Sequence, residues 1–142
     1  MDAKEYLSQA IWLDRRIQTK IEEKERIREM AEKVNGCLSH TKVSGSREHQ
    51  QIVNTLVKLI DLEWEIVRMI DRLVDLKREI GKMIQEVEDT NQQMVLELRY
   101  LCGKGWDEIA CEMRYDPRTI FRLHGKGLGF IEKKMGTKKS CQ

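Results

Sequence analysis

Proline occurs once, at Pro117, and aromatic side chains make up only 6% of the residues. Sandwiches and barrels draw on β-branched and aromatic residues and on frequent turn chemistry, so a strand-rich fold is excluded. No run of about 18 apolar residues exists that could cross a membrane, and the segment from Met1 to Tyr6 is polar and acidic rather than signal-like. The four cysteines, Cys37, Cys102, Cys111 and Cys141, form no C-x-x-C pair, which points to reduced thiols in an intracellular protein. Cys37 and His40 have ligand-like spacing, but no second pair completes a zinc site.

Catalytic groupings are equally scarce. His40, His49 and His124 have no evident triad partners, and paired carboxylates occur only as helix-surface charges. Gly125-Lys126-Gly127-Leu128-Gly129 looks superficially like a phosphate loop, yet no strand precedes it and neither known glycine spacing is met. Neither an enzyme nor a cofactor or metal is expected. His124, at an expected helix end, reads as a cap or a phosphate contact rather than a base.

Charge is plentiful, at 35% of residues, and unevenly placed. Residues 1 to 96 hold 16 Lys and Arg against 18 Asp and Glu, whereas residues 97 to 142 hold 10 against 6. From Arg114 onward the count is 8 against 2, a concentrated excess that suits contact with phosphates.

Apolar residues recur with helical periods. Leu7, Ala10, Ile11, Leu13, Ile17, Ile21, Ile27, Met30, Ala31 and Val34 make one stripe, predicting a helix over 4–34. Asn35-Gly36 and the polar stretch to Ser46 predict the bend of a hairpin, with Ser46 capping a second helix. That helix carries a heptad seam through Ile52, Leu56, Leu59, Glu63, Ile66, Ile70, Leu73, Lys77, Ile80, Ile84 and Val87, two of whose positions are charged. Over 48–90 it would extend about 65 Å.

Beside the seam runs a second apolar row, Val53, Val57, Ile60, Trp64, Val67 and Val74. One partner helix cannot cover both. Two hairpins combining into a four-helix bundle would, making the chain a homo-oligomer, most simply a dimer, with Val57, Ile60, Trp64 and Val67 at the interface. Alternatively, the C-terminal domain covers the row of a monomer. Asn91-Gln92-Gln93 breaks the pattern, so residues 1–91 are expected to form an oligomerising helical hairpin and 92–142 a separate domain.

The C-terminal third predicts three short helices. The first covers Gln93 to Cys102 with Met94, Leu98 and Leu101 inward, and Gly103-Lys104-Gly105 ends it. A second runs from Trp106 to Met113, with Asp107 and Glu108 near its positive end. Arg114-Tyr115 turns the chain, and Asp116-Pro117 starts the third with Asp as N-cap and Pro in the first helical position. Ile109, Ala110, Met113, Tyr115, Ile120 and Leu123 would form the core of a steep helix crossing, leaving Arg118, Thr119, Arg122 and Lys126 outward. Phe121 either packs under the first short helix, the favoured reading, or lies outward against a thymine methyl.

A B-form major groove accepts one α-helix and reads the side chains near its N-terminal end. Arg118 and Arg122, four apart, could each fork onto a guanine, and Thr119 could touch a thymine methyl or a phosphate. Lys104, Lys126, Lys133 and Lys134 are better placed for phosphates, so the expected partner is double-stranded DNA. Arg114 stands where such turns usually have glycine, and Gly125, Gly127 and Gly129 predict that the third helix frays after His124.

Leu98-Arg99-Tyr100-Leu101, Gly103 through Ala110, Met113, Arg118-Thr119-Ile120 and Arg122-Leu123-His124 resemble the region-4 helix-turn-helix of sigma factors. With the N-terminal hairpin, the chain resembles small sigma-like transcriptional regulators of phages and prophages, of the RinA and ArpU type. The resemblance covers about residues 94 to 131, and for the hairpin it is architectural only. It implies control of phage genes, often late genes, through promoter binding and contact with RNA polymerase in the cytoplasm of a bacterial host. A DNA-recognition subunit of a phage packaging machine, similar to a terminase small subunit, would use a comparable helix-turn-helix and is the alternative.

Overall fold

A computed structural model describes residues 1–38 and 46–140 of the chain. It is all-α: α1 (Ala3–Leu38), α2 (Ser46–Gln85), α3 (Thr90–Leu96), a π-helical stretch (Glu97–Leu101), α4 (Trp106–Met113) and α5 (Pro117–Ser140). Two long helices forming an antiparallel hairpin precede a set of shorter ones, as the apolar periods require. No helix among the described residues is long and apolar enough to cross a membrane.

Helix α1 runs through Asn35-Gly36 to Leu38 rather than stopping at Val34. One helical glycine costs about 1 kcal/mol, too little to end a helix of this length. The expected bend at 39–45, the capping side chain of Ser46 and the Cys37 and His40 pair lie outside the described residues and side chains, as does Cys141.

The seam of α2 also differs from the expected one. Leu62, Ile66, Leu73, Ile80, Met83 and Val87 are buried, and Ile52, Thr55, Leu59, Met69 and Leu76 are partly so. They recur at alternating spacings of three and four, as the expected seam does, but as far as Met69 every second position is shifted by one residue; further on the expected Ile84 is buried as well as Met83, and the expected Lys77 is partly buried beside Leu76. Leu56, Glu63 and Ile70 consequently lie outside and are exposed. The shift resolves the anomaly of charged seam positions: Glu63 accepts an ion pair from Lys24 of α1 at 3.3 Å at the seam's edge.

Contacts divide the chain into two compact units, Asp14–Arg72 and Met1–Leu13 with Leu73–Gln142. In the first, Ile17 of α1 and Leu62 and Ile66 of α2 are buried, and the Lys20–Glu65 and Lys24–Glu63 ion pairs join the two helices. In the second, Ala3, Leu7, Ala10 and Leu13 of α1 are buried together with Leu73, Ile80, Met83 and Ile84 of α2. There the Tyr6 hydroxyl donates to the Glu79 carboxylate at 3.2 Å; burial, reinforced by that carboxylate, pushes its pKa up to about 12. The Ala3 amide donates to Glu132 of α5 at 2.6 Å. The short helices thus share a compact unit with both long helices' outer ends, whereas a division at residue 91 was expected.

Helix α2 ends at Gln85, and the chain restarts at Thr90 because Asp89 caps α3, its Oδ1 accepting from the amides of Asn91 (2.8 Å) and Gln92 (3.0 Å). Helix α5 continues to Ser140 and does not fray at its glycines. The inward side of α5 carries Gly127, where a Cβ would stand 2.9 Å from Leu96 Cδ1 and 3.2 Å from its Cγ. Leu96 is fully buried and has little room to yield. Gly127 therefore sets the closeness of α5 to α3, while added Cβ atoms at Gly125 and Gly129 would meet nothing within 4 Å.

Alanine substitutions should separate the two roles in urea denaturation. Gly125→Ala should gain up to about 1 kcal/mol from helix propensity. Gly127→Ala should gain nothing and lose up to about 2 kcal/mol, because overpacking of roughly 1–3 kcal/mol offsets or exceeds the same gain. Equal gains at both positions would show that Leu96 does not limit the approach.

Candidate nucleic-acid interface

The π-helical stretch carries a five-residue bond, the Cys102 amide donating to the Glu97 carbonyl at 3.1 Å. Gly103 then takes φ +69°, a conformation that favours glycine, and the Lys104 amide returns to the Leu98 carbonyl at 3.0 Å. Gly105 starts α4 with extended backbone and no side-chain cap, and Asp107 and Glu108 occupy the first turn as expected. At the other end Arg114 is left-handed, with φ 58° and ψ 39°, and the Tyr115 amide donates to the Ala110 carbonyl at 3.2 Å. A non-glycine residue held there costs about 1–2 kcal/mol, which the crossing of α4 and α5 must offset. Asp116 Oδ1 accepts from the Thr119 amide at 2.9 Å, so the Asp-Pro start of α5 is as expected.

Val95, Ile109, Ala110 and Ile120 form the buried core of the crossing, with Leu98, Trp106, Met113 and Leu123 packed against it. Of the six residues assigned to this core, Ile109, Ala110, Met113, Ile120 and Leu123 are in it. Tyr115 and Met94 are not, being 40% and 43% exposed. Tyr115 follows directly on the left-handed residue, which turns its side chain out of the helical progression. Met94 lies on the solvent side of α3 because Val95 and Leu96 take the inward positions.

The principal feature not anticipated is His124. It is buried, and its Nε2 shares a 2.7 Å hydrogen bond with the Tyr100 hydroxyl. The Trp106 ring meets it edge-on at 4.6 Å, and the Arg99 guanidinium lies 4.6 Å from the Trp106 ring centre. Burial, aided by the positive charges of Lys4 and Arg99, lowers its pKa to about 4. His124 is thus a neutral core residue, neither a helix cap nor a phosphate contact. Its position was legible as four residues after Ile120 and seven before Ile131, both fully buried on the same side of α5.

These inward positions fix the outward ones. Arg118, Arg122, Lys126 and Lys133 are exposed, have no ion-pair partner among the described residues, and fall within about 80° of one another around the helix axis. Thr119 is half-buried at the border of this face. Phe121 is 51% exposed and rests one side on Trp106, ring centres 5.2 Å apart, so it packs against α4 rather than under α3 and remains half accessible.

Of the lysines assigned to phosphates, Lys104 is engaged elsewhere and Lys134 only loosely so. Lys104 is ion-paired with Glu112, which raises its pKa. Its carbonyl also accepts from Arg99 Nη1 at 3.0 Å. Lys134 lies 4.0 Å from the Glu86 carboxylate and 5.6 Å from the Phe130 ring centre, a loose arrangement that leaves it available at the surface. The cationic face therefore consists of two arginines at the start of α5 and two lysines further along it. Fixed on one buried side and unpaired on the other, such a helix can place guanidinium forks against base edges and ammonium groups against phosphates.

No curated protein and no solved structure matches the chain. Residues 32–129 match a family model described as a protein of unknown function, DUF1492. The match spans well over half of the 142 residues, so the chain belongs to the DUF1492 family.

Proposed function

We propose that this protein is a sequence-specific DNA-binding regulator of transcription in which the first two turns of α5 enter the major groove. One observation carries the reading: Arg118 and Arg122 are exposed and unpaired among the described residues on one face of α5, while Ile120, His124, Gly127 and Ile131 hold the opposite face. Lys126 and Lys133 extend the same face and supply phosphate contacts that keep the helix in register. The resemblance to sigma-like regulators of phages and prophages adds the setting, a promoter of late phage genes in a bacterial cytoplasm, where RNA polymerase is a second partner.

Selection of genomic fragments by the purified full chain tests the reading. One sequence should be enriched, and its affinity should fall with salt along a log–log slope of about −2 to −3 for each α5 bound, as two or three phosphate contacts from Lys126, Lys133 and Lys134 require. Recovery of unrelated fragments, or affinity indifferent to salt, would exclude groove reading by this helix.

A further inference from the structure

Within the unit Asp14–Arg72, Val53, Val57, Ile60, Trp64 and Val67 recur along α2 at spacings of four, three, four and three. This is a second heptad seam, and it is open: the five side chains are 38%, 50%, 53%, 62% and 45% exposed. Leu56 and Ile70, at 51% and 41%, widen it on one side. Together they expose apolar surface on the order of 600 Å², the upper end of what soluble monomers leave contiguous and a size that commonly marks a contact surface. On the other flank stand Asp61 and Arg68, one heptad apart, exposed, and without an ion-pair partner among the described residues.

We infer that this seam docks on the same seam of a second copy of the chain, with the two α2 helices antiparallel and the two-fold axis passing beside residues 65 and 66. Charge selects the arrangement. In a parallel pair each seam residue faces its own copy, which stacks Trp64 on Trp64 and buries Asp71 against Asp71. The antiparallel pair sets Trp64 against Val67 and Asp71 against Ile60, so no two like charges meet in the seam. It also brings Asp61 of each copy beside Arg68 of the other, twice by symmetry.

The register follows from the same flank. A slip of one heptad in one direction brings Asp61 against Asp61, and in the other Arg68 against Arg68. Like-charge opposition penalises both, and only the register centred between residues 65 and 66 pairs opposite charges. Glu63, on the far flank, is already neutralised by Lys24 within its own copy and does not oppose the pairing. The inference is independent of DNA binding by α5, and its test contains no DNA.

Sedimentation equilibrium of the full chain should give a dimer at micromolar concentration, and Trp64→Asp should give a monomer. Since Trp64 is exposed, helicity by circular dichroism should be unchanged. Asp61→Arg and Arg68→Asp should each weaken dimerisation by roughly fivefold to tenfold, by replacing two attractive contacts with two repulsive ones. The double variant D61R/R68D restores both pairs in exchanged order, and its dissociation constant should return to within about twofold of the original. A monomeric parent chain, or a dimer indifferent to Trp64→Asp, would overturn the assignment of the seam. Failure of the double variant to recover would overturn the antiparallel register, since in a parallel pair Arg68→Asp meets Glu63 and cannot be rescued by Asp61→Arg.

Discussion

Replacing Arg118 and Arg122 together by alanine is expected to abolish the preference of the protein for its operator over unrelated DNA. Each bidentate arginine–guanine contact discriminates by about 1–3 kcal/mol, so two of them account for roughly 2–6 kcal/mol of preference if independent. Both side chains are exposed and outside the core of the crossing, so folding stability should change by no more than about 0.5 kcal/mol. Lys133→Ala supplies the contrast: it should weaken binding to all sequences alike and flatten the salt dependence by about 0.9 in slope. The measurement is a pair of titrations, operator and scrambled duplex, for each variant. A ratio of affinities that survives loss of both arginines would place sequence reading elsewhere in the chain.

Acidification from pH 7 to pH 5 should cost the fold about 2 kcal/mol through His124 alone. In the unfolded chain an imidazole takes up a proton near pH 6.5, whereas in the fold burial keeps His124 neutral down to about 4. Between those values the unfolded state binds more protons than the native state, so stability rises with pH across the window. The contribution is complete above about 6.5 and is lost progressively as pH falls toward 4. His124→Gln removes the titration while keeping a group able to hydrogen-bond Tyr100. Its urea midpoint should therefore be nearly flat from pH 6.5 to 5, a range above ordinary carboxylate titration. An equal slope in parent and variant would mean that His124 is protonated inside the fold.

Loss of stability below pH 6 also bears on function. His124 sits between Tyr100 and Trp106 on the inward side of the helix whose outward side carries Arg118 and Arg122. A charged imidazole there would loosen the seating of α5, so the histidine ties the orientation of the cationic face to a dry core. Phe121 completes the connection, one side of its ring on Trp106 and the other accessible beside the arginines.

Much of this was legible in residue order. The Asp116-Pro117 start of α5, the small Ala110 at the crossing and the apolar set Ile109, Met113, Ile120 and Leu123 are local features with a helical period, and in the fold they lie as that period requires. Arg114, standing where such turns usually have glycine, takes the left-handed conformation that a glycine would. Less legible were features that depend on a neighbour distant in the chain. Gly127 weakens a helix by propensity, yet here it permits close approach to Leu96, and α5 continues through it. Lys104 looked like a free cation until Glu112, eight residues on, claimed it.

Periodicity alone determined that the chain is helical, that two long helices form a hairpin, and which side of α5 carries charge, because side chains recur on a helix face every three to four residues whatever surrounds them. Which residues complete the covered seam of α2, periodicity could not settle, since Leu56, Glu63 and Ile70 satisfy the same alternation as Thr55, Leu62 and Met69. Tertiary packing settled it: Leu62, Ile66 and Met69 turn toward α1, and the row through Trp64 faces outward. The same packing decided that His124 lies in the core. Burial is a property of the assembled fold, and a residue's own type and spacing can only propose a side.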